Sequence, residues 1–248
     1  LYPRKLQLMR QWRTIRSMMK ACDVIHALDA FPYGVIAILL SLGLGKKVII
    51  TAAGSGAIIP LYQWQYGFFL AFAYKHADRM TAISTFTRDE ILKKIPDIAI
   101  TVINHGVDME KFERADGLQY PMKHYQPYIV SVGQLRWRKG YHFSIKSFVK
   151  VAKEFPDLHY AIVGKKYKDD YYQRLKNLIA EFHLEDCVHI LEDVNTNEQL
   201  ADVYKQAELF CLFSQNVNHD VEGFGLVFLE AAAAGLPVVG AKNCGVDD

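Results

Sequence analysis

Nine short apolar runs, mostly continuous rather than alternating with polar residues, most strongly limit what this chain can become. They are CDVIHAL (22–28), KKVIITAA (46–53), RMTAIS (79–84), IAITVI (98–103), PYIVSVG (127–133), LHYAIVG (158–164), CVHIL (187–191), AELFCLFS (207–214) and LPVVGA (236–241). A strand that is apolar on both faces must be covered on both faces. Between the runs lie helical patterns near 4–20, 32–43, 61–76, 85–94, 140–155, 168–183, 196–206 and 225–234. Strands alternating with helices predict parallel sheets, and so an α/β chain built of Rossmann-like units.

The rhythm breaks between Asp108 and Gln126, where the chain is polar and holds a Gly and a Pro. This predicts a domain at 1–108, a linker at 109–126 and a second domain at 127–248. A chain of 248 residues that is 51% hydrophobic can bury a large core. Its net charge of +2 lacks the basic excess of a nucleic-acid binder, so no nucleic-acid partner is expected. The four cysteines, Cys22, Cys187, Cys211 and Cys244, stand far apart without CxxC spacing. That pattern predicts reduced thiols in a cytoplasmic protein and no metal site. The longest apolar run, Phe31 to Gly45, falls short of the roughly 20 residues of a membrane helix and is read as a buried helix. The N-terminal stretch is basic and amphipathic, without the apolar core and cleavage site of a signal peptide. It leaves two readings, a domain-surface helix and a helix lying on anionic lipid at the inner face of a membrane. The chain begins at Leu1 rather than Met, which is read as the mark of a piece or processed form.

Several strands end in glycine, at Gly54, Gly133, Gly164 and Gly240. In parallel sheets ligands bind at the carboxyl ends of strands, where glycine permits close approach to the backbone. The stretch EGFGLVFLE (222–230) places Glu222 at the entrance of an apolar helix and Glu230 on its body. That helix is expected to be buried. An ionised Glu230 there costs several kcal/mol unless cations or hydrogen-bond donors meet it. One reading pairs Glu230 with an internal Lys or Arg and sets Glu222 against the helix dipole. A glycosidase pair fits less well, because its carboxyl groups stand ~5–10 Å apart, whereas eight residues along a helix span about 12 Å. That spacing suits two ends of one extended ligand. The glycine-rich helix entrance between them suits phosphate. A nucleoside diphosphate sugar has this layout of hydroxyls, phosphates and hydroxyls.

The stretch resembles the E-x7-E motif of family 4 glycosyltransferases. Other segments are similar to that family in the same order: ADRMTAISTF (77–86), NHGVDMEKF (104–112), SVGQLRWRKG (131–140) and the region from Ala207 to Ala241. The resemblance implies the GT-B fold of two Rossmann-like domains, the first of them incomplete here. It also implies transfer of a sugar from a nucleotide diphosphate donor of UDP or GDP type to an acceptor hydroxyl, saccharide or lipid-linked. The reaction is expected to be retaining, metal-independent and without a cofactor. By the same resemblance Glu222 contacts sugar hydroxyls, and Gly223, Phe224 and Gly225 run beside the sugar and phosphates, with Leu226 opening the helix. Glu230 accepts hydrogen bonds from the ribose, and Lys139 meets the diphosphate. Glu222 and Lys139 are the implied catalytic residues. Gly133, Gln134, Arg136, Arg138 and Gly164 complete the implied donor site. A cation in a loop after a glycine-ended strand suits phosphate on physical grounds too, so Lys139 stands on two supports. Its bland reading is an exposed lysine on a solvated loop.

The sequence departs from the family at three places. The family's diphosphate arginine falls on Gln134, so either Arg136 or Arg138 supplies the charge or donor binding is weak. The acceptor-side segment HGSD appears as Ala53-Gly54-Ser55-Gly56, and Pro-Asn as Asn104-His105. These departures keep a second function open, a nucleotide-binding GT-B fragment that no longer catalyses transfer. Apolar surface left by an incomplete first domain also makes self-association an expected property.

Overall fold

The computed structural model describes residues 5–113, 120 and 122–248. All nine expected strands form: β1 Val24–Ala27, β2 Lys47–Ala52, β3 Arg79–Ala82, β4 Ile100–Val102, β5 Tyr128–Val132, β6 His159–Val163, β7 Val188–Leu191, β8 Leu209–Leu212 and β9 Val238–Gly240. The helices are α1 Lys5–Lys20, α2 Val35–Ser41, α3 Ser55–Ile58, α4 Trp64–His76, α5 Thr85–Leu92, α6 Met109–Glu113, α7 Tyr141–Glu154, α8 Asp169–Glu181, α9 Asn197–Lys205 and α10 Leu226–Ala233. Eight of them answer to the helical patterns; α3 and α6 are too short to show a period.

Both sheets are wholly parallel, in the orders β1-β2-β3-β4 and β7-β6-β5-β8-β9. In the first, Ala27, Ile50, Met80 and Ile100 lie side by side across the four strands. The first three are buried, as continuous apolar runs require. In the second sheet Val130, Tyr160, Ile162 and Phe210 have no exposed surface. The buried tyrosines find acceptors for their hydroxyls: Tyr74 donates to the carbonyl of Ala57 at 2.8 Å and Tyr128 to that of Val203 at 2.5 Å.

The chain forms two compact units. One contains residues up to Asn104 together with Asn218–Phe224 and Asp247–Asp248; the other contains His105–Val217 and Gly225–Val246. The polar stretch 109–126 lies partly outside the described residues. Of its described part, Phe112 is buried in the second unit's core, and Gln206 Nε2 donates to the carbonyl of Tyr120 at 3.0 Å.

In the run from Phe31 to Gly45, α2 covers Val35–Ser41 and follows a π-helical turn over Ala30–Gly34, and α2 is half-buried rather than buried. Val35, Ala37 and Ile38 face the core while Leu39 and Leu42 are exposed, because a helix lying on a sheet turns only one face inward. No helix among the described residues is long and apolar enough to cross a membrane.

Candidate functional site

The second sheet sets the place. Its first strand, β5, is central, with β6 and β7 laid to one side and β8 and β9 to the other. The topological switch point therefore falls between the carboxyl ends of β5 and β8, where open parallel sheets bind ligands. The two loops that leave those ends are tied together. Gln215 donates its N–H to the carbonyl of Arg138 at 2.7 Å and its amide Nε2 to that of Trp137 at 2.9 Å.

Lys139 closes a short 3-10 turn, Trp137–Lys139, in the loop after β5. It is 7% exposed, so the reading as a solvated surface lysine does not hold. Its Nζ lies 3.4 Å from where a side chain on Gly133 would begin. Tyr141, the first residue of α7, donates its hydroxyl to the carbonyl of Gly133 at 2.6 Å and fixes the end of β5. Tyr141 carried no sequence signal. Gly164, at the end of β6, has a packing explanation: a Cβ there would stand 1.9 Å from the carbonyl oxygen of Gly133. Of the two arginines offered in place of the family's, Arg136 donates to Gln134 Oε1 at 2.7 Å and stacks over the Tyr167 ring at 3.8 Å.

Glu230 lies on α10 and is half-buried. Burial pushes its carboxyl above the usual value, and three groups work against that: the Tyr204 hydroxyl and the positive charges of Lys111 and Lys139. Tyr204, on α9, donates to Glu230 Oε2 at 3.1 Å. From the sequence alone, the expected partner of this carboxylate is a single internal Lys or Arg. The structure answers with a buried phenol and two lysines at longer range. Lys111 and Tyr204 are residues the sequence reading did not find.

Two expectations about this helix need correction. α10 begins at Leu226, with Gly225 as N-cap in a left-handed conformation. Glu222 precedes it outside any helix, so the spacing worked out along a continuous helix does not apply to the pair. α10 is also not buried all round: Phe228 and Ala231 are buried, but Leu226 is 40% exposed. Gly225 offers no side-chain cap, and in the first turn the N–H of Phe228 donates to the carbonyl of Gly225 at 2.9 Å.

Gly133, Gln134, Arg136, Arg138, Lys139, Gly164, Gly225, Leu226 and Glu230 all belong to the second unit; Glu222, Gly223 and Phe224 pack with the first. There the segment Asn218–Phe224 meets the carboxyl ends of β2 and β3. Val221 joins the first unit's core, Glu222 is 7% exposed, and Ser84 Oγ donates to the carbonyl of Gly223 at 2.6 Å. Asp29, after β1, is a further carboxylate at this edge that the sequence reading passed over; burial raises its pKa, against hydrogen bonds from the backbone of Ala30 and Phe31.

Comparison with known proteins agrees with this geometry. Residues 118–248 match the family described as Glycosyl transferases group 1, and residues 1–111 match Glycosyltransferase Family 4. An uncharacterized glycosyltransferase of Haemophilus influenzae is 36% identical over 116 residues, covering 47% of this chain and 30% of that protein. A GDP-mannose-dependent alpha-(1-6)-phosphatidylinositol monomannoside mannosyltransferase of Mycolicibacterium smegmatis is 27% identical over 180 residues, covering 69% of this chain and 46% of that protein. The chain thus spans less than half the length of either curated relative. Among solved structures, Anabaena Alr3699/HepE in complex with UDP and glucose aligns with TM-score 0.79 at 20% identity, over 99% of this chain and 67% of that one, a likeness of fold. With one family match covering more than half of its length and the other nearly all of the remainder, the chain belongs to the group 1, family 4 glycosyltransferases and has their GT-B type of fold.

Proposed function

We propose that this chain transfers a sugar from a nucleotide diphosphate donor to an acceptor hydroxyl, with retention and without a metal. The observation that carries the proposal is Lys139, a buried cation at the switch point of the second sheet, in the unit whose α10 opens on an uncapped glycine turn. A buried ammonium is stabilised by anions placed beside it; the Glu230 carboxylate is one charge that acts together with Lys139, and the diphosphate of a bound donor would be another. Transfer breaks the bond between the sugar C1 and the β-phosphate oxygen and forms one to the acceptor oxygen, whose proton passes to the departing diphosphate. Charge then gathers on the departing diphosphate. Lys139 stabilises that charge, which makes electrostatic stabilisation of the leaving group the main catalytic contribution of this unit. Glu230, held by Tyr204, accepts hydrogen bonds from the ribose, and Glu222 from the transferred sugar.

The relatives support a donor of this class: one is described as GDP-mannose-dependent and the HepE structure holds UDP and glucose. The acceptor is a saccharide or a lipid-linked hydroxyl. Exposed aromatics on α4, with Trp64 at 89%, Phe68 at 76% and Phe69 at 50%, support peripheral contact with a lipid surface or a second copy of the chain.

The test is a thermal-shift series with UDP, GDP, ADP and their sugar conjugates on the wild type and on Glu230→Ala. A shift of several degrees with one nucleotide, lost in the variant, is the expected result. A shift without release of diphosphate from any donor would leave a nucleotide binder, and no shift with any nucleotide would end the enzymatic reading.

A further inference from the structure

Glu222 is flanked on both sides by residues that the first unit grips. Ser55, which opens α3 just after β2, accepts the N–H of Val221 at 2.8 Å on its Oγ. The same hydroxyl lies 2.8 Å from Asp220 Oδ1 and 3.0 Å from the carbonyl of Val221, and donates to this pair. On the other side of Glu222 the carbonyl of Gly223 accepts from Ser84 Oγ at 2.6 Å and from Thr87 Oγ1 at 3.2 Å. Ser84 has no exposed surface, and its oxygen also accepts the N–H of Thr87 as the N-cap of α5. Between these grips the backbones of Gly54 and Gly223 touch, so closely that a Cβ on Gly223 would stand 2.7 Å from Gly54 Cα. At its start the segment turns through two left-handed residues, Asn218 and His219, and the His219 ring stacks on Tyr62 at 3.5 Å. Two consecutive non-glycine residues in that region persist only where the surroundings hold them.

We infer that Ser55 and Ser84 are positioning residues for Glu222, and so for selection of the sugar that this carboxylate contacts. This rests on the reading of Glu222 as the group that contacts the sugar. Neither serine touches the donor in this scheme. Each fixes one peptide beside Glu222, and a carboxylate that reads sugar hydroxyls must be held within a fraction of an ångström to do so.

The test uses the whole chain and measures affinity for UDP against UDP-glucose, and for GDP against GDP-mannose, in the wild type, Glu222→Gln, Ser55→Ala, Ser84→Ala and Ser55→Thr. Hydrogen exchange at the Val221 amide, which bonds to Ser55, reports the anchoring directly. Glu222→Gln is expected to reduce the preference for the sugar conjugate over the bare nucleotide, by about tenfold for one lost charged hydrogen bond. Ser55→Ala and Ser84→Ala should reduce the same preference while leaving affinity for the bare nucleotide unchanged, with faster exchange at Val221 in Ser55→Ala. Ser55→Thr, which keeps the hydroxyl, should restore both. Combining Ser55→Ala with Glu222→Gln should cause no further loss. If Glu222→Gln lowers the preference and neither serine variant does, the inference is overturned and the donor reading stands. If Glu222→Gln itself leaves the preference unchanged, the donor reading of Glu222 fails and the inference fails with it.

Discussion

Replacing Gly164 with alanine tests whether that glycine is dictated by packing. A Cβ at this position would stand 1.9 Å from the carbonyl oxygen of Gly133. Atoms that close must separate by about 1 Å or more, in an interior with no slack to absorb it. The strand ends cannot drift freely, because Gly133 donates to the carbonyl of Val163 at 2.9 Å, Gly164 to that of Leu191 at 3.0 Å and Leu135 to that of Lys165 at 3.1 Å. Loss of two such bonds costs about 2 kcal/mol, and forcing a methyl group into a filled site about 1–3 kcal/mol more. Gly164→Ala should therefore lose about 3–5 kcal/mol, or roughly 6–20 °C in melting temperature at about 2–4 °C per kcal/mol for a chain of this size. Gly106 is the control, since nothing among the described residues lies within 4 Å of a Cβ built on it. Gly106→Ala should change stability little, or raise it by up to about 1 kcal/mol through the unfolded chain. The assay is urea denaturation of both variants. A loss below about 1 kcal/mol in Gly164→Ala would mean that the two strand ends separate easily, and the packing explanation would be wrong.

Lys139→Met should weaken nucleoside diphosphate binding about 10- to 100-fold by calorimetry, the loss of one charge-assisted hydrogen bond; an unchanged affinity would remove the lysine from the donor site. Glu230 holds its proton more tightly when folded than when unfolded, because burial raises its pKa above the usual 4.5. Its ionisation therefore destabilises the fold as pH rises through and above that value. The melting temperature of Glu230→Gln relative to wild type should accordingly increase between pH 4 and pH 7, while its nucleotide affinity falls. A difference that stays flat with pH would contradict the burial of that carboxyl. Trp64→Ser combined with Phe68→Ser should reduce sedimentation with anionic lipid vesicles or, if the patch serves a second copy, the weight-average mass in solution. Absence of both effects would leave the α4 aromatics without a binding role.

The strands were legible because their physical cause is local: a run that is apolar on both faces can be satisfied only inside a covered sheet. Ends such as Gly133 were overrun by a residue or two, because the apolar run continues into the turn that leaves the sheet. The position of Lys139 in the loop that leaves β5 was legible for a similar reason, because it lies in a basic cluster just after a glycine-ended strand. What supports Glu230 was not. Tyr204 lies 26 residues earlier on another helix, and no periodicity joins a phenol to a carboxylate at that distance. The 12 Å spacing of the two glutamates rested on helix throughout, whereas the Gly-Phe-Gly stretch postpones the first helical residue to Leu226. The grips on Gly223 were equally hidden, since Ser84 is 139 residues away, at the end of a strand run that says nothing of a distant carbonyl.

The place of Val221 in the first unit's core has a consequence for how the chain is made. On the ribosome all four strands of that unit emerge before any of the segment that completes it, and the partners Ser55 and Val221 are 166 residues apart. At synthesis rates of about 5–20 residues per second, the first unit waits several seconds with a groove beside Gly54 where Val221 will later sit. The second unit's central strands are also threaded through that interval. Until that segment emerges, the first unit's core lacks the cover that Val221 gives it, and a stall between the two halves would prolong that exposure.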